Sequence, residues 1–367
     1  MIFKCNKINL QEAISIAQKA ITGKSTMPIL DGIYIEANND VITIIGSDKD
    51  VSIETKLIAE INEPGKIVID AKIFGEIIRK LPNSNVTIET IDNNLVQITC
   101  EKTNFNIIHM NANEFPSFPQ INESNILSIS QSLLKNMIKG TSFAIAQDET
   151  RPILQGILFE IKNNQLNLVA LDGYRLAVKS EYIDSVNNIS TVVPGKTLNE
   201  VAKILDDNND DTVNITCTDN HILFNLGNTK IISRLLEGEF IKYDSLLPQE
   251  HKVLIEVNKQ DFQNGIERAS LMVKEGNSNL IKLNIQTDNI IITSNSQMGK
   301  VREEVSIDLQ GEELEIAFNS KYLLDVLKNM DDNQIIMELT SSISPCIIRN
   351  KNNYNCKYLV LPVRLIK

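Results

Sequence analysis

The chain has no tryptophan, and phenylalanine and tyrosine supply only 5% of its 367 positions. Its cores must therefore be built from aliphatic side chains. Three histidines, His109, His221 and His251, stand alone without a carboxylate or cysteine at metal-ligand spacing. No metal centre, cofactor or histidine-driven catalytic site is expected from them. The five cysteines (Cys5, Cys100, Cys217, Cys346 and Cys356) are odd in number, scattered and free of any C-x-x-C pair. That pattern argues against a disulfide frame or a zinc site and for reduced, mostly buried thiols. No apolar run approaches the roughly eighteen residues of a membrane span, and "MIFKCNKINLQEA" lacks a basic region leading into an apolar one. A cytoplasmic protein is expected. Basic charge is also in deficit, 36 Lys and Arg against 47 Asp and Glu for a net charge of −11, which taken alone argues against a nucleic-acid partner.

What the sequence does contain is a repeat of itself. "STMPILDGIYIEANNDVITIIGSDKD" at 25 to 50 returns as "ETRPILQGILFEIKNNQLNLVALDGY" at 149 to 174, pairing Pro28 with Pro152, Gly32 with Gly156 and Asp48 with Asp172. "DAKIFGEIIRKLPNSN" from Asp70, "PGKTLNEVAKILDDNN" from Pro194 and "NSKYLLDVLKNMDDNQ" from Asn319 align so that Lys72, Lys196 and Lys321 share one position. Three copies of about 122 residues account for the chain. Their boundaries are expected at 1–124, 125–249 and 250–367.

Within a copy, helical spacing marks a first helix: Leu10, Ile14 and Ala17, then Leu134, Ile138 and Thr141, then Phe262, Ile266 and Ala269. Two alternating strands such as "GIYIEA" and "VITIIGS" follow, then a third strand, a second helix and a closing group of strands such as "NVTIETIDNNLVQITCE". Each copy reads as two helix-plus-strands units. Connectors at 113 to 121 and 238 to 248 place Phe115 and Phe240 in related positions.

Charge is partitioned along this pattern. The six helical segments, 6–21, 71–82, 130–142, 195–205, 258–274 and 320–330, carry fourteen Lys or Arg and six Asp or Glu. They sum to +8, and the rest of the chain to −19. A helical face that meets a polyanion, with the strand side turned to solvent, produces such a split. Catalytic patterns are missing by contrast. "PGKT" at 194 to 197 imitates the end of a phosphate-binding loop, but Ser190 stands where its first glycine is required. Asp206-Asp207 and Asp331-Asp332 follow second helices as polar turns, and Asp172 shares its turn with its repeat mate Asp48.

The repeat, together with "MPILDGI", "RPILQGILFE", "LDGYRLAV", "FNSKYLLDVL" and the terminal "LPVRL", resembles the bacterial DNA polymerase III beta subunit family, the sliding clamps, in collinear order over essentially the whole chain. The resemblance implies an α+β fold of three DNA-clamp domains, each with two helices on an inner face and antiparallel sheets on an outer face. It implies a ring-shaped, head-to-tail homodimer around duplex DNA, read without sequence preference. The implied partners are a replicative polymerase catalytic subunit, a clamp loader and other proteins carrying a clamp-binding motif.

Residue by residue, the resemblance puts a partner-peptide pocket at Leu154, Leu171, Gly173, Tyr174, Arg175, Leu176, Ile241 and Leu246. From the third copy it adds Asn319, Tyr322, Ile343, Pro345, Leu359, Val360, Leu361, Pro362, Val363, Arg364 and Leu365. Aliphatic residues there would supply burial, while Arg175, Arg364, Asn319 and Tyr322 would supply directional hydrogen bonds. Tyr174 departs from a histidine common in the family, and Ser245 stands where an arginine often lies. For DNA the resemblance points to Lys24, Lys72 and Lys196. Two other readings stay open on sequence grounds: a peptide-binding scaffold that never encircles DNA, and an enzyme using Asp172 and Arg175.

Overall fold

The computed structural model describes residues 1–23, 26–91, 94–123, 125–183, 188–207, 211–273, 279–297 and 299–364. Lys24 and Leu365 lie outside the described residues.

Copy one runs β1 (Ile2–Asn6), α1 (Lys7–Ala17), β2 (Gly32–Asn38), β3 (Val41–Ser47), β4 (Val51–Ile58), β5 (Glu60–Glu63), β6 (Gly65–Asp70), α2 (Ala71–Lys80), β7 (Asn85–Ile91), β8 (Leu95–Cys100) and β9 (Thr103–Met110). Copy two runs β10 (Leu127–Ser130), α3 (Gln131–Ser142), β11 (Gly156–Lys162), β12 (Gln165–Leu171), β13 (Arg175–Tyr182), β14 (Ile189–Pro194), α4 (Gly195–Ile204), β15 (Thr212–Cys217), β16 (His221–Asn225) and β17 (Thr229–Arg234). Copy three runs β18 (Val253–Asn258), α5 (Lys259–Ser270), β19 (Leu280–Ile285), β20 (Asn289–Ser296), β21 (Gly299–Gln310), β22 (Leu314–Asn319), α6 (Ser320–Lys328), β23 (Gln334–Leu339), β24 (Cys346–Asn350) and β25 (Cys356–Val360).

Every one of these six helices continues directly from a strand. Periodicity alone misses the strands that open each copy, β1, β10 and β18, and, of those before the second helix, two in the first copy and one in each of the others. The reason is local: no turn separates strand from helix, and Gly or Pro stands only at the junction of β14 with α4, Pro194-Gly195. In four cases the last strand residue caps the helix instead. Asn6, Asp70, Asn258 and Asn319 accept hydrogen bonds from the backbone N–H of Ile8, Ile73, Asp261 and Lys321, each cap contributing about 1 kcal/mol.

Helical spacing correctly marks the buried faces. Leu10, Ile14, Ala17, Leu134, Ile138, Thr141, Phe262, Ile266 and Ala269 are all buried. Among the described residues no helix is long and apolar enough to cross a membrane.

The chain divides into two compact units, one of residues 1–135 and 196–235, the other of 136–195 and 236–367. The first holds a 13-stranded sheet in the order β10-β15-β16-β17-β4-β3-β2-β6-β9-β8-β7-β1-β5. Its junction between copies is the antiparallel pair β4 and β17, with Ser52 opposite Ile232 and Glu54 opposite Lys230. The second holds a 12-stranded sheet in the order β14-β11-β12-β13-β25-β24-β23-β18-β21-β20-β19-β22. Its junction is β13 with β25, in the same register: Leu176 lies opposite Leu359 and Val178 opposite Lys357. Backbone ladders thus join strands of different copies within each unit.

Candidate peptide-binding site

The stretch "LDGYRLAV" lies in the second unit and closes β12 onto β13. Asp172 Oδ1 accepts from the N–H groups of Tyr174 (2.9 Å) and Arg175 (3.0 Å). Its repeat mate Asp48 does the same for Asp50 and Val51. Both are Asx turns, in which the carboxylate satisfies backbone donors that the tight chain reversal leaves free. Gly173 has φ +91°, a conformation that a side chain would strain.

Arg175 is only 8% exposed, and all three of its nitrogens are engaged. Nε donates to Asp172 Oδ2 at 3.0 Å, Nη1 to Asp325 Oδ2 at 2.6 Å and Nη2 to the Phe143 carbonyl at 2.6 Å. The guanidinium carbon lies 5.3 Å from the Phe143 ring centroid and 4.7 Å from that of Tyr322. Tyr322 in turn stacks on Tyr174, with centroids 5.9 Å apart. Burial and the Asp172 carboxylate raise the Tyr322 pKa. Instead of presenting donors to a partner, Arg175 ties the turn, the segment after α3 and the α6 helix into one rigid corner. Asn319 likewise uses its side-chain oxygen to cap α6.

The floor beneath this corner is apolar. Leu154, Leu171, Leu176 and Leu359 belong to one buried cluster with Leu158, Val178, Tyr243 and Ile347. Val360 is also buried and pairs with Arg175 and with Cys346, next to the half-buried Pro345. The tail is held by its backbone: Leu361 N–H donates to the Tyr174 carbonyl at 2.9 Å and Val363 N–H to the Ala317 carbonyl at 2.8 Å. Large apolar side chains remain in solvent on these segments, namely Tyr174, Ile241, Leu246, Ile343, Leu361 and Val363. Arg364 is exposed and Pro362 half-buried. Ser245 donates to the Lys242 carbonyl at 2.7 Å, closing its own turn.

Sequence reasoning missed Leu158, Val178 and Tyr243 as floor residues and Asp325 and Phe143 as partners of Arg175. The first two follow from extending the two-residue period along β11 and β13. Asp325 is 150 positions from Arg175 and carries no local signal.

The first unit has the same backbone arrangement with polar residues at three of the floor positions. Where the second unit has Leu171, Leu176 and Val178, the first has Ser47, Ser52 and Glu54, and the two serine hydroxyls bond each other at 2.8 Å. The rest of the floor stays apolar: connector residues Phe115 and Phe118 pack with Leu30, Ile45 and Val68, the repeat mates of Phe240, Tyr243, Leu154, Val169 and Val192.

On the helices, Lys72 and Lys196 each occupy the second position, and both are exposed. Lys72 has no ion pair among the described residues, whereas Lys196 Nζ meets Asp48 Oδ2 at 2.9 Å. In this pair the lysine is exposed and the Asp48 side chain is only 11% exposed. Arg79 and Lys80 are also exposed at the end of α2. The apparent phosphate loop has other uses. A Cβ on Gly195 would lie 2.5 Å from Ile145 Cδ1, and Thr197 Oγ1 lies 2.8 Å from Ser233 Oγ. Asp207 pairs with Lys135, and Asp332 accepts from the Asn352 N–H. Among the described residues no group of acidic, histidine or cysteine side chains could hold a metal ion.

Helices backed by long antiparallel sheets, repeated three times along one chain, define the class: a clamp-fold scaffold of three domains. Comparison with known proteins makes this specific. The N-terminal, central and C-terminal domain descriptions of the DNA polymerase III beta subunit match residues 1–119, 128–242 and 244–364. The beta sliding clamp of Bacillus subtilis is 40% identical over 99% of this chain and 100% of its own length. The crystal structure of that organism's DNA polymerase sliding clamp superposes with a TM-score of 0.97 at 39% identity, each chain covered completely. The DNA polymerase III beta subunit of Thermotoga maritima gives a TM-score of 0.93 at 28% identity, again over the whole of both chains. The chain belongs to the DNA polymerase III beta subunit family, the beta sliding clamps. It is a processivity factor and not an enzyme.

Proposed function

We propose that two copies of the chain close head to tail into a ring around duplex DNA. The replicative polymerase catalytic subunit, the clamp loader and other clamp-binding-motif proteins then dock as short peptides over the apolar floor. In this reading the domains are 1–124, 125–249 and 250–367, and the protein works in the cytoplasm, where the chromosome is copied. Lys24, Lys72 and Lys196 face the phosphates. The peptide contacts Leu154, Leu171, Gly173, Tyr174, Leu176, Ile241 and Leu246, with Asn319, Tyr322, Ile343, Pro345 and the segment Leu359 to Leu365; Arg175 shapes the wall from behind.

One observation carries the reading. The second unit's floor carries Leu171, Leu176 and Val178, with exposed apolar side chains on the surrounding segments, where the otherwise apolar place in the first unit holds Ser47, Ser52 and Glu54. Folding does not require leucines at these positions, since the same backbone forms without them, but binding an apolar anchor does. The test pairs two measurements: titration of a labelled peptide bearing apolar anchors, and retention on closed circular against linearised DNA in high salt. A ring resists salt on a circle and slides off a linear end. Equal loss from both forms would leave a peptide scaffold that does not encircle DNA.

A further inference from the structure

Beside the leucine floor, on the same face of the β12, β13 and β25 strands, lies a polar cavity of about 300 Å³. Its lining includes Val178, Ser180, Tyr243, Asp244 and Lys357. The first unit has a cavity of about 170 Å³ at the repeat-related place, lined by Glu54, Lys56, Phe118, Pro119 and Lys230. The correspondence is position by position. Val178 and Ser180 follow Glu54 and Lys56 by the repeat offset of 124, and Tyr243 and Asp244 follow Phe118 and Pro119 by the connector offset of 125. Lys357 opposite Val178 matches Lys230 opposite Glu54 in strand register.

The two lysines differ in what meets them. Lys230 is covered by the connector's own Glu123, with Nζ to Oε1 at 2.6 Å, and Asn225 donates to the other oxygen at 3.1 Å. This pairing holds the Glu123 pKa below the usual carboxylate range. In the second connector the position of Glu123 is taken by Pro248, and Lys357 has no ion pair or side-chain hydrogen bond among the described residues. Lys162, also on the lining, is equally unpartnered there. The acids of this cavity do not fill the place: Glu160 accepts from the Tyr243 hydroxyl at 2.6 Å and from Asn167, and Asp244 lies on the exposed connector.

We infer that this cavity is an acidic-residue subsite of the partner-binding groove, in which an Asp or Glu flanking the peptide's apolar anchors pairs with Lys357 as Glu123 pairs with Lys230. The inference rests on the reading that partner peptides enter the groove. It adds a charge requirement that an apolar groove alone does not impose.

The experiment is a polarisation titration of the full-length protein with labelled decapeptides of two apolar anchors, an Asp placed at each flanking position in turn, against matched Asn peptides. At one position the Asp peptide should bind about two- to five-fold more tightly than its Asn mate, the range of a partly exposed ion pair. Lys357→Met should erase the difference while leaving the Asn peptide's affinity unchanged. Lys357→Glu should reverse it, favouring a peptide with Lys at that position. Equal affinity of all Asp and Asn mates overturns the subsite and leaves the groove standing. Failure of every peptide to bind overturns the groove reading itself.

Discussion

Replacing Arg175 by methionine separates two parts that a cation in a binding groove can play. Methionine keeps most of the side-chain volume but removes the guanidinium, leaving Asp172, Asp325 and the Phe143 carbonyl without their donor. Removing one partner of a buried ion pair costs about 3–5 kcal/mol. The Asp325 side chain is 26% exposed and can recover water, which puts the expected loss near the lower end, about 3 kcal/mol. Loss of the cation–π contact with Tyr322 adds about 0.5–1 kcal/mol and frees the Tyr174 stack. The assay is urea unfolding of Arg175→Met, Asp325→Asn and the double variant, followed by circular dichroism, with peptide affinity measured on each. The double-mutant cycle should give a coupling energy of about 1–3 kcal/mol, as expected for groups in direct contact. Energies that add within about 0.5 kcal/mol, together with a tenfold or greater loss of peptide affinity at unchanged stability, would refute the reasoning and make Arg175 a direct peptide contact.

Deleting residues 363–367 should abolish peptide binding while the chain still sediments at twice its mass, because the exposed Val363 and Arg364 side chains add little to the core; loss of the dimer would make the tail structural. Converting Lys24, Lys72 and Lys196 together to Ala should flatten the salt dependence of DNA contact by about one log-log unit or less per phosphate lost, independent of base sequence. Among the thiols, the half-buried Cys217 should react first with a water-soluble alkylating reagent, since burial raises the pKa of Cys5 to about 12 and that of Cys346 further; faster modification of Cys346 than of Cys217 in the native protein would contradict the buried placement. Glu123 has a folded pKa below its unfolded value, so its contribution is present above the ordinary value of about 4.3 and fades as pH falls through the lowered one. Glu123→Gln should accordingly reduce the acid-induced loss of stability, read from denaturant midpoints between about pH 5 and pH 2, and an unchanged midpoint profile would remove Glu123 from that role.

Several features were legible in the chain itself because they depend on near neighbours. Leu10, Ile14 and Ala17 recur at helical spacing whatever the helix packs against, and the mates Asp48 and Asp172 make the same Asx turn from residues two and three positions ahead. The repeat follows from comparing the chain with itself, and the family likeness from the motifs it carries. The strands that open the copies, such as β1 running straight into α1, escaped because the Asn at the junction marks only the start of the helix. What only tertiary structure decided is where the copies join and what each charge meets. Strand register brings Val178 beside Lys357 and Glu54 beside Lys230; folding brings Asp325 and Phe143 onto Arg175; the connector lays Glu123 over one lysine and leaves its counterpart open. Ion pairs and ladder bonds act over a few ångströms in space with no regard to distance along the chain. Composition and spacing could therefore count these charges, but only the fold could determine which of them are already paired.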